Sequence, residues 1–195
     1  MKVPISLVKE LREKTGLGVM DCKKALEEAE GNMEKAIEIL KRKGIKISEK
    51  KAERETSEGL IGAYVHLNGK IGVLVEVNCE TDFVAKTDDF KELVKNLTLQ
   101  IAATSPLWID RDSVPEEVIE EKKREIEEEF KDKPPHVMEK IIKGKLEEFF
   151  KEKVLLEQPF IKDENITIKD YLTSKIAKLR ENIRIKRFVR FEIGE

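Results

Sequence analysis

The sequence predicts an α+β protein with a three-helix N-terminal module, a small antiparallel sheet with packed helices, and an antiparallel helical hairpin. Three observations carry this. Apolar residues recur at helical spacing up to Leu40, the period changes to two on either side of Asn68-Gly69, and two helical stripes meet at Lys133-Pro134-Pro135.

In chain order, Leu7, Val8 and Leu11 form the first apolar stripe, and Gly16 suits its helix C-cap. Val19, Cys22, Ala25, Leu26 and Ala29 form the second stripe, which Gly31-Asn32 ends. Asn32 can cap a third helix through Met33, Ala36, Ile37 and Leu40. Gly44 is expected to end it after Lys41-Arg42-Lys43, cations that suit the negative end of a helix dipole. Residues 1–45 thus read as a minimal three-helix domain. Residues 46–58, polar and charged without an apolar period, read as a linker, and 59–195 as the α+β core.

Within the core, Leu60 to Leu67 and Lys70 to Cys79 are rich in β-branched residues. The Asn68-Gly69 between them predicts a type I′ hairpin pairing Leu67 with Lys70, with Val73, Val75 and Val77 on one face. A lone hairpin is marginal and needs further packing. Phe90, Leu93, Val94, Leu97 and Ile101 supply a helix with Thr87, Asp88 or Asp89 at its start, and Ile183 to Ile193 a third strand in which Arg187 breaks the alternation at a bulge or edge. Ser113 and Pro115 open a highly charged helix whose thin seam is Val118, Ile119, Ile126 and Phe130. Met138, Ile141, Ile142, Leu146, Phe149 and Phe150 line the return helix, so about 114–153 reads as a hairpin arm standing off the body. The Thr167 to Asp170 spacing resembles a capping box for a final helix through Leu172, Ile176 and Leu179.

Composition narrows the function classes. Charged residues make up 40% of the chain, against about 25% on average, with 29 Lys and 31 Glu but only 6 Asn and 2 Gln, a thermophile-like balance. The net charge of −2 gives no overall pull toward a polyanion, and no apolar run approaches the roughly 18 to 20 residues of a membrane span. A cytoplasmic protein is expected, with neither a membrane nor direct nucleic acid as partner. Cys22 and Cys79 form no CxxC pair, which argues against a disulfide framework or a thiolate zinc site.

Catalytic motifs are absent on inspection. Thr15-Gly16-Leu17-Gly18 begins like a dinucleotide fingerprint, but Asp21 replaces the third glycine and no strand precedes it. Gly69-Lys70 has no phosphate-loop spacing. His66 and His136 lack ligand-spaced partners, and neither cysteine has a neighbouring base. No enzyme activity, cofactor or metal is expected. Lys169 to Arg190 holds eight basic residues against two acidic ones. A solvated face is the favoured reading there, with a ribosome- or RNA-binding accessory protein as the alternative and an interaction module built on the arm as another.

After the strand ending at Cys79 comes Glu80-Thr81-Asp82-Phe83-Val84-Ala85-Lys86, a large aromatic among charged neighbours. Either Phe83 and Val84 tuck into the core, or Phe83 is an anchor held on a rigid corner to pry apart a partner's helices.

Two stretches, Leu11-Arg12-Glu13-Lys14-Thr15-Gly16-Leu17-Gly18-Val19-Met20-Asp21-Cys22-Lys23-Lys24-Ala25-Leu26 and Glu76-Val77-Asn78-Cys79-Glu80-Thr81-Asp82-Phe83-Val84-Ala85-Lys86, resemble the two signature motifs of bacterial translation elongation factor Ts. Gln100-Ile101-Ala102-Ala103, Gln158-Pro159-Phe160 and the ending Arg190 to Glu195 extend the resemblance over essentially the whole chain. It implies a guanine-nucleotide exchange factor for elongation factor Tu, with no bond chemistry of its own. It implies a ubiquitin-associated-like N-terminal module that docks on the GTPase through Arg12, Val19, Met20 and Lys23. Thr81, Asp82, Phe83 and Val84 become the segment that dislodges magnesium from the partner, and the hairpin becomes a coiled-coil arm. Only one core set is visible, so the chain resembles the short type, in which two chains pair as a homodimer; exposed sheet edges point the same way.

Overall fold

A computed structural model describes residues 3–194. In chain order its elements are α1 (Ile5–Thr15), α2 (Val19–Glu28), α3 (Met33–Lys51), β1 (Glu58–Val65), β2 (Ile71–Cys79), α4 (Asp82–Ala85), α5 (Asp88–Thr104), α6 (Glu116–Glu129), α7 (Pro135–Lys153), β3 (Pro159–Phe160), β4 (Asp163–Thr167), α8 (Ile168–Leu179) and β5 (Ile183–Glu192). The fold is α+β, as the two periods predicted. The chain divides into two compact units. The first holds the residues up to Ile61 with Glu76–Val94 and Leu172–Lys186; the second holds Gly62–Val75, Lys95–Tyr171 and the residues from Arg187 onward.

In the first unit α1, α2 and α3 pack around Leu11, Cys22, Ala25, Leu26, Ala36 and Leu40. Left-handed Gly16 closes α1, its N–H donating to the Arg12 carbonyl (2.7 Å), and Asn32 Oδ1 caps α3 by accepting from the Lys35 N–H (3.0 Å). The stripes therefore mean what they appeared to mean, except at Val19, which is exposed. The expected stop at Gly44 does not occur. α3 runs on to Lys51, so the first part of the stretch read as linker, 46–51, is helical. Packing explains the difference. Gly44 lies where α3 packs on α8: a Cβ there would meet Ala177 Cβ at 3.5 Å and Thr173 Cγ2 at 3.9 Å, ordinary contact distances, so tertiary packing carries the helix through this glycine.

The three-stranded sheet has the order β1-β2-β5. Val73, Val75, Val77 and Cys79 of the central strand are buried, as the alternation required. The His66 N–H donates to the Ile71 carbonyl and the Ile193 N–H to the Lys70 carbonyl (both 2.9 Å), which sets antiparallel pairing on both flanks and agrees with the expected hairpin register. The turn differs from the expected type I′. Only Gly69 has positive φ (+70°), and its N–H donates to the His66 carbonyl (2.7 Å), so Leu67 and Asn68 are the central turn residues. The Asn68 side chain accepts from the Lys70 N–H (3.1 Å), which secures a longer loop that needs left-handed backbone only at the glycine. In β5 the alternation slips at Lys186 and Arg187, consecutive exposed residues on an edge strand.

In the second unit α6 and α7 pack together, with Pro135 in the first turn of α7. At their base Val114, Phe150 and Val154 are buried, with Trp108 and Phe149 against them. Arg111 bonds Glu147 and Glu157 and lies 4.5 Å from the Phe150 ring centre. The two glutamines of the chain are both buried here. Gln100 Nε2 donates to Gln158 Oε1 (3.2 Å) and to the Pro159 carbonyl (3.1 Å), while Gln100 Oε1 accepts from the Ile161 N–H (2.9 Å). β3 and β4 form an antiparallel ribbon that the sequence did not announce. It brings Phe160 onto Tyr171, with ring centres 4.4 Å apart. The Thr167 and Asp170 side chains then bond each other's backbone N–H, closing the capping box of α8.

Candidate partner-binding site

β2 delivers the chain to a corner fixed at both ends by threonines. Thr81 caps α4, its hydroxyl accepting from the Val84 N–H (3.3 Å); Thr87 donates its hydroxyl to the Val84 carbonyl (2.7 Å) and accepts from the Phe90 N–H (3.2 Å). Between these posts Ala85 is buried and Val84 half-buried, while Phe83 is 79% exposed. Phe83 is therefore not tucked into the core, while Val84 and Ala85 after it pack inward and hold the corner down. Asp82 pairs with Lys86 (2.5 Å), which lowers the carboxyl below its ordinary range and raises the ammonium.

A layer behind the corner was not visible from the sequence. Both carboxylate oxygens of Glu181 face it: one accepts the Glu80 N–H (3.1 Å) and the Thr81 N–H (3.0 Å), the other accepts the Thr81 hydroxyl (2.6 Å). In return, the Glu80 carboxylate accepts the Asn182 N–H (2.6 Å) and bonds Arg54 (3.3 Å). Burial would raise the Glu80 carboxyl, but these partners hold it lowered. The Cys79 thiol donates to the Thr81 carbonyl (3.2 Å), and burial, with the Glu181 charge second, pushes it up to about 11. That shift disfavours the thiolate, the form in which a cysteine acts as a nucleophile. One signal could have found Glu181. It is one of only two acids in the basic stretch from Lys169 to Arg190, and the other, Asp170, is also an internal acceptor.

The four candidate residues of the N-terminal module, Arg12, Val19, Met20 and Lys23, are all exposed, Met20 at 61%. Lys23 lies 3.8 Å from Glu27. Asp21, on the same first turn of α2, pairs with Arg180 (2.7 Å). Successive residues Arg180 and Glu181 therefore fasten the start of α2 and the Phe83 corner, so both candidate segments hang on the junction between α8 and β5.

Much of the basic stretch is consumed internally. Lys175 and Lys178 bond Asp89 (3.2 and 2.6 Å), Arg180 bonds Asp21, Arg184 bonds the Ala52 carbonyl and Arg190 bonds Glu192. Among the described residues no group of three or more His, Cys, Asp or Glu could hold a metal ion, and no helix is long and apolar enough to cross a membrane.

The family model described as elongation factor TS matches residues 7–195. An elongation factor Ts from Thermotoga neapolitana is 58% identical over 195 residues, covering 100% of this chain and 99% of the relative. One from Fervidobacterium nodosum is 59% identical over 197 residues and covers 100% of both chains. A third, from Carboxydothermus hydrogenoformans, is 60% identical over 192 residues, covering 97% of this chain and 88% of the relative.

Proposed function

The chain belongs to the elongation factor Ts family, and from that membership we infer that it is a guanine-nucleotide exchange factor for elongation factor Tu. On this reading it is a cytoplasmic factor that carries out no bond chemistry. The observation that supports the mechanism is the exposure of Phe83 on a corner pinned at both ends. Magnesium bridges the GDP phosphates to the GTPase. Phe83, with Thr81, Asp82 and Val84 around it, inserts between partner helices near the nucleotide pocket and favours the distorted, magnesium-free state. Binding linkage then makes the factor weaken nucleotide by the same ratio as nucleotide weakens the factor, and the abundant nucleotide rebinds. A wedge that gained equally in both states would shift nothing, so Phe83 must gain more in the distorted one. Preorganisation is what makes the insertion efficient, since an anchor already held in place loses little entropy on binding.

The ubiquitin-associated-like module supplies the second contact, through Arg12, Val19, Met20 and Lys23, and the α6–α7 hairpin is the coiled-coil arm. The factor acts without direct nucleic-acid binding, because most of its basic stretch already has partners within the chain. A homodimer completes the exchange surface, as the short form of the family implies. The Lys- and Glu-rich, amide-poor composition fits a heat-adapted source.

The experiment follows release of a fluorescent GDP from elongation factor Tu at fixed magnesium while the factor is titrated. Phe83→Ala is expected to lose roughly 1–3 kcal/mol of the differential binding and slow release correspondingly, with its melting transition intact. Unchanged exchange, or a collapsed melting transition, would refute the wedge.

A further inference from the structure

We propose that Glu181 is a positioning residue for nucleotide exchange: its carboxylate, reaching across from the α8–β5 junction, holds the Phe83 corner in the geometry that inserts. This rests on the reading of Phe83 as the wedge. Three donors converge on this one side chain, the N–H groups of Glu80 and Thr81 and the Thr81 hydroxyl, at 3.1, 3.0 and 2.6 Å. The Thr81 hydroxyl, whose O–H donates to Glu181, keeps its lone pairs free to accept from the Val84 N–H (3.3 Å) and so caps the turn that carries Phe83. The chain of bonds therefore runs from Glu181 through Thr81 to the backbone on either side of the exposed ring. A carboxylate suits this task better than a neutral group, because bonds to an ionised acceptor are stronger and both of its oxygens only accept. The reciprocal bond from the Asn182 N–H to Glu80 (2.6 Å) makes the link two-sided, so the corner is held against rotation as well as separation.

Glu181→Gln is the sharp test. The amide keeps the size but removes the charged acceptor: its oxygen can still take the two N–H groups, but its NH2 then faces the Thr81 hydroxyl, whose bond must break or reverse. The same GDP-release titration is run on Glu181→Gln, on Phe83→Ala and on the double variant, with thermal melting of each. Glu181→Gln is expected to lower the maximal release rate about tenfold, the size expected from losing one bond to a charged acceptor. On top of Phe83→Ala it is expected to cost no more than about twofold, because the corner then has no ring to position. Equal loss in both backgrounds would mean that Glu181 only supports the fold, and no loss in either would mean that the corner holds itself; each overturns the proposal. If Phe83→Ala alone leaves exchange unchanged, the wedge reading fails first and the proposal with it. Should Glu181→Gln fold poorly, Glu181→Asp, which keeps the charge but falls one methylene short of the three donors, is run in the same two backgrounds: a loss of release rate that appears only when Phe83 is present upholds the proposal, and equal loss in both or loss in neither overturns it.

Discussion

A Cβ built on Gly59 would stand 2.1 Å from the Val77 carbonyl oxygen and 2.8 Å from Asn78 Cα, on a backbone with φ of +152°. Neither neighbour is a flexible side-chain tip, so an alanine there must move the strand backbone while it occupies a conformation that side chains avoid. Gly59→Ala is expected to cost about 2–4 kcal/mol, the combined size of backbone strain and overpacking, read as a lowered midpoint in denaturant. Gly44 is the contrasting case. Its Cβ would meet Ala177 Cβ at 3.5 Å, an ordinary contact, inside a helix where glycine is a poor former. Gly44→Ala should therefore be neutral or stabilising by up to about 1 kcal/mol in the same measurement, while a larger residue would separate α3 from α8. Phe83 and Glu181 divide in the same way between what local sequence carries and what it does not. An aromatic among charges after a strand was visible as a candidate, though only the fold could decide its exposure. Glu181 lies 100 residues from Thr81 in sequence, and nothing local marks it as that residue's acceptor.

At the scale of elements, the long periodic helices and the hairpin were legible because their burial patterns repeat over many residues. The errors fell where one residue had to stand for a structural decision. Gly44 predicts a stop, whereas packing against α8 carries the helix through it, and Asn68-Gly69 predicts a two-residue turn, whereas Leu67 joins the loop. β3 and β4, two and five residues long, are too short to show a period. The buried Gln100 side chain bonds the backbone at both ends of β3, and Gln100→Leu would take its bonds from the Ile161 N–H and the Pro159 carbonyl while Gln158 keeps Thr104 and Glu152. We expect that variant to lose about 2–4 kcal/mol, more than one ordinary hydrogen bond, because unsatisfied buried groups are left behind. The α5–α8 contact makes a different prediction. Asp89 accepts from Lys178 and Lys175 (2.6 and 3.2 Å), and Lys178, ahead of the opposing effect of burial, lowers its carboxyl below the ordinary 3.8. A carboxyl depressed in the folded state stabilises above its ordinary value, and that contribution is lost as pH falls through the lower, folded one. Asp89→Asn should thus melt a few degrees lower at pH 7, with the gap to the native chain closing as pH drops below about 4.

For the whole molecule the open question is what meets the outer face of the sheet. Leu74 alternates with buried Val73 and Val75, so it points to the opposite face. The register fixed at His66–Ile71 puts Val65 opposite Gly72, and that fixed at Ile193–Lys70 puts Val189 opposite Leu74 and Phe191 opposite Gly72. Val65 (67%), Leu74 (48%) and Phe191 (68%) thus form an exposed apolar face, in a chain whose surface is otherwise dominated by Lys and Glu. Contiguous apolar surface of this kind marks an interaction site, and the order β1-β2-β5 leaves an unpaired edge on either side of it. On the proposed homodimer reading, a second copy would bring the same apolar face to a two-fold contact, the commonest way for one chain to bury its own patch. Sedimentation equilibrium should give twice the chain mass of 22.5 kDa. Leu74→Glu with Phe191→Glu should halve that mass, because like charges would then face each other across the two-fold contact, while leaving Val73, Val75 and Val77 packed on the inner face and the fold cooperative. If the native chain runs as a monomer at high micromolar concentration, the dimer reading falls. If the charged pair of substitutions yields a folded monomer, its GDP-release rate per chain should drop, because on the proposed reading two cores together complete the exchange surface.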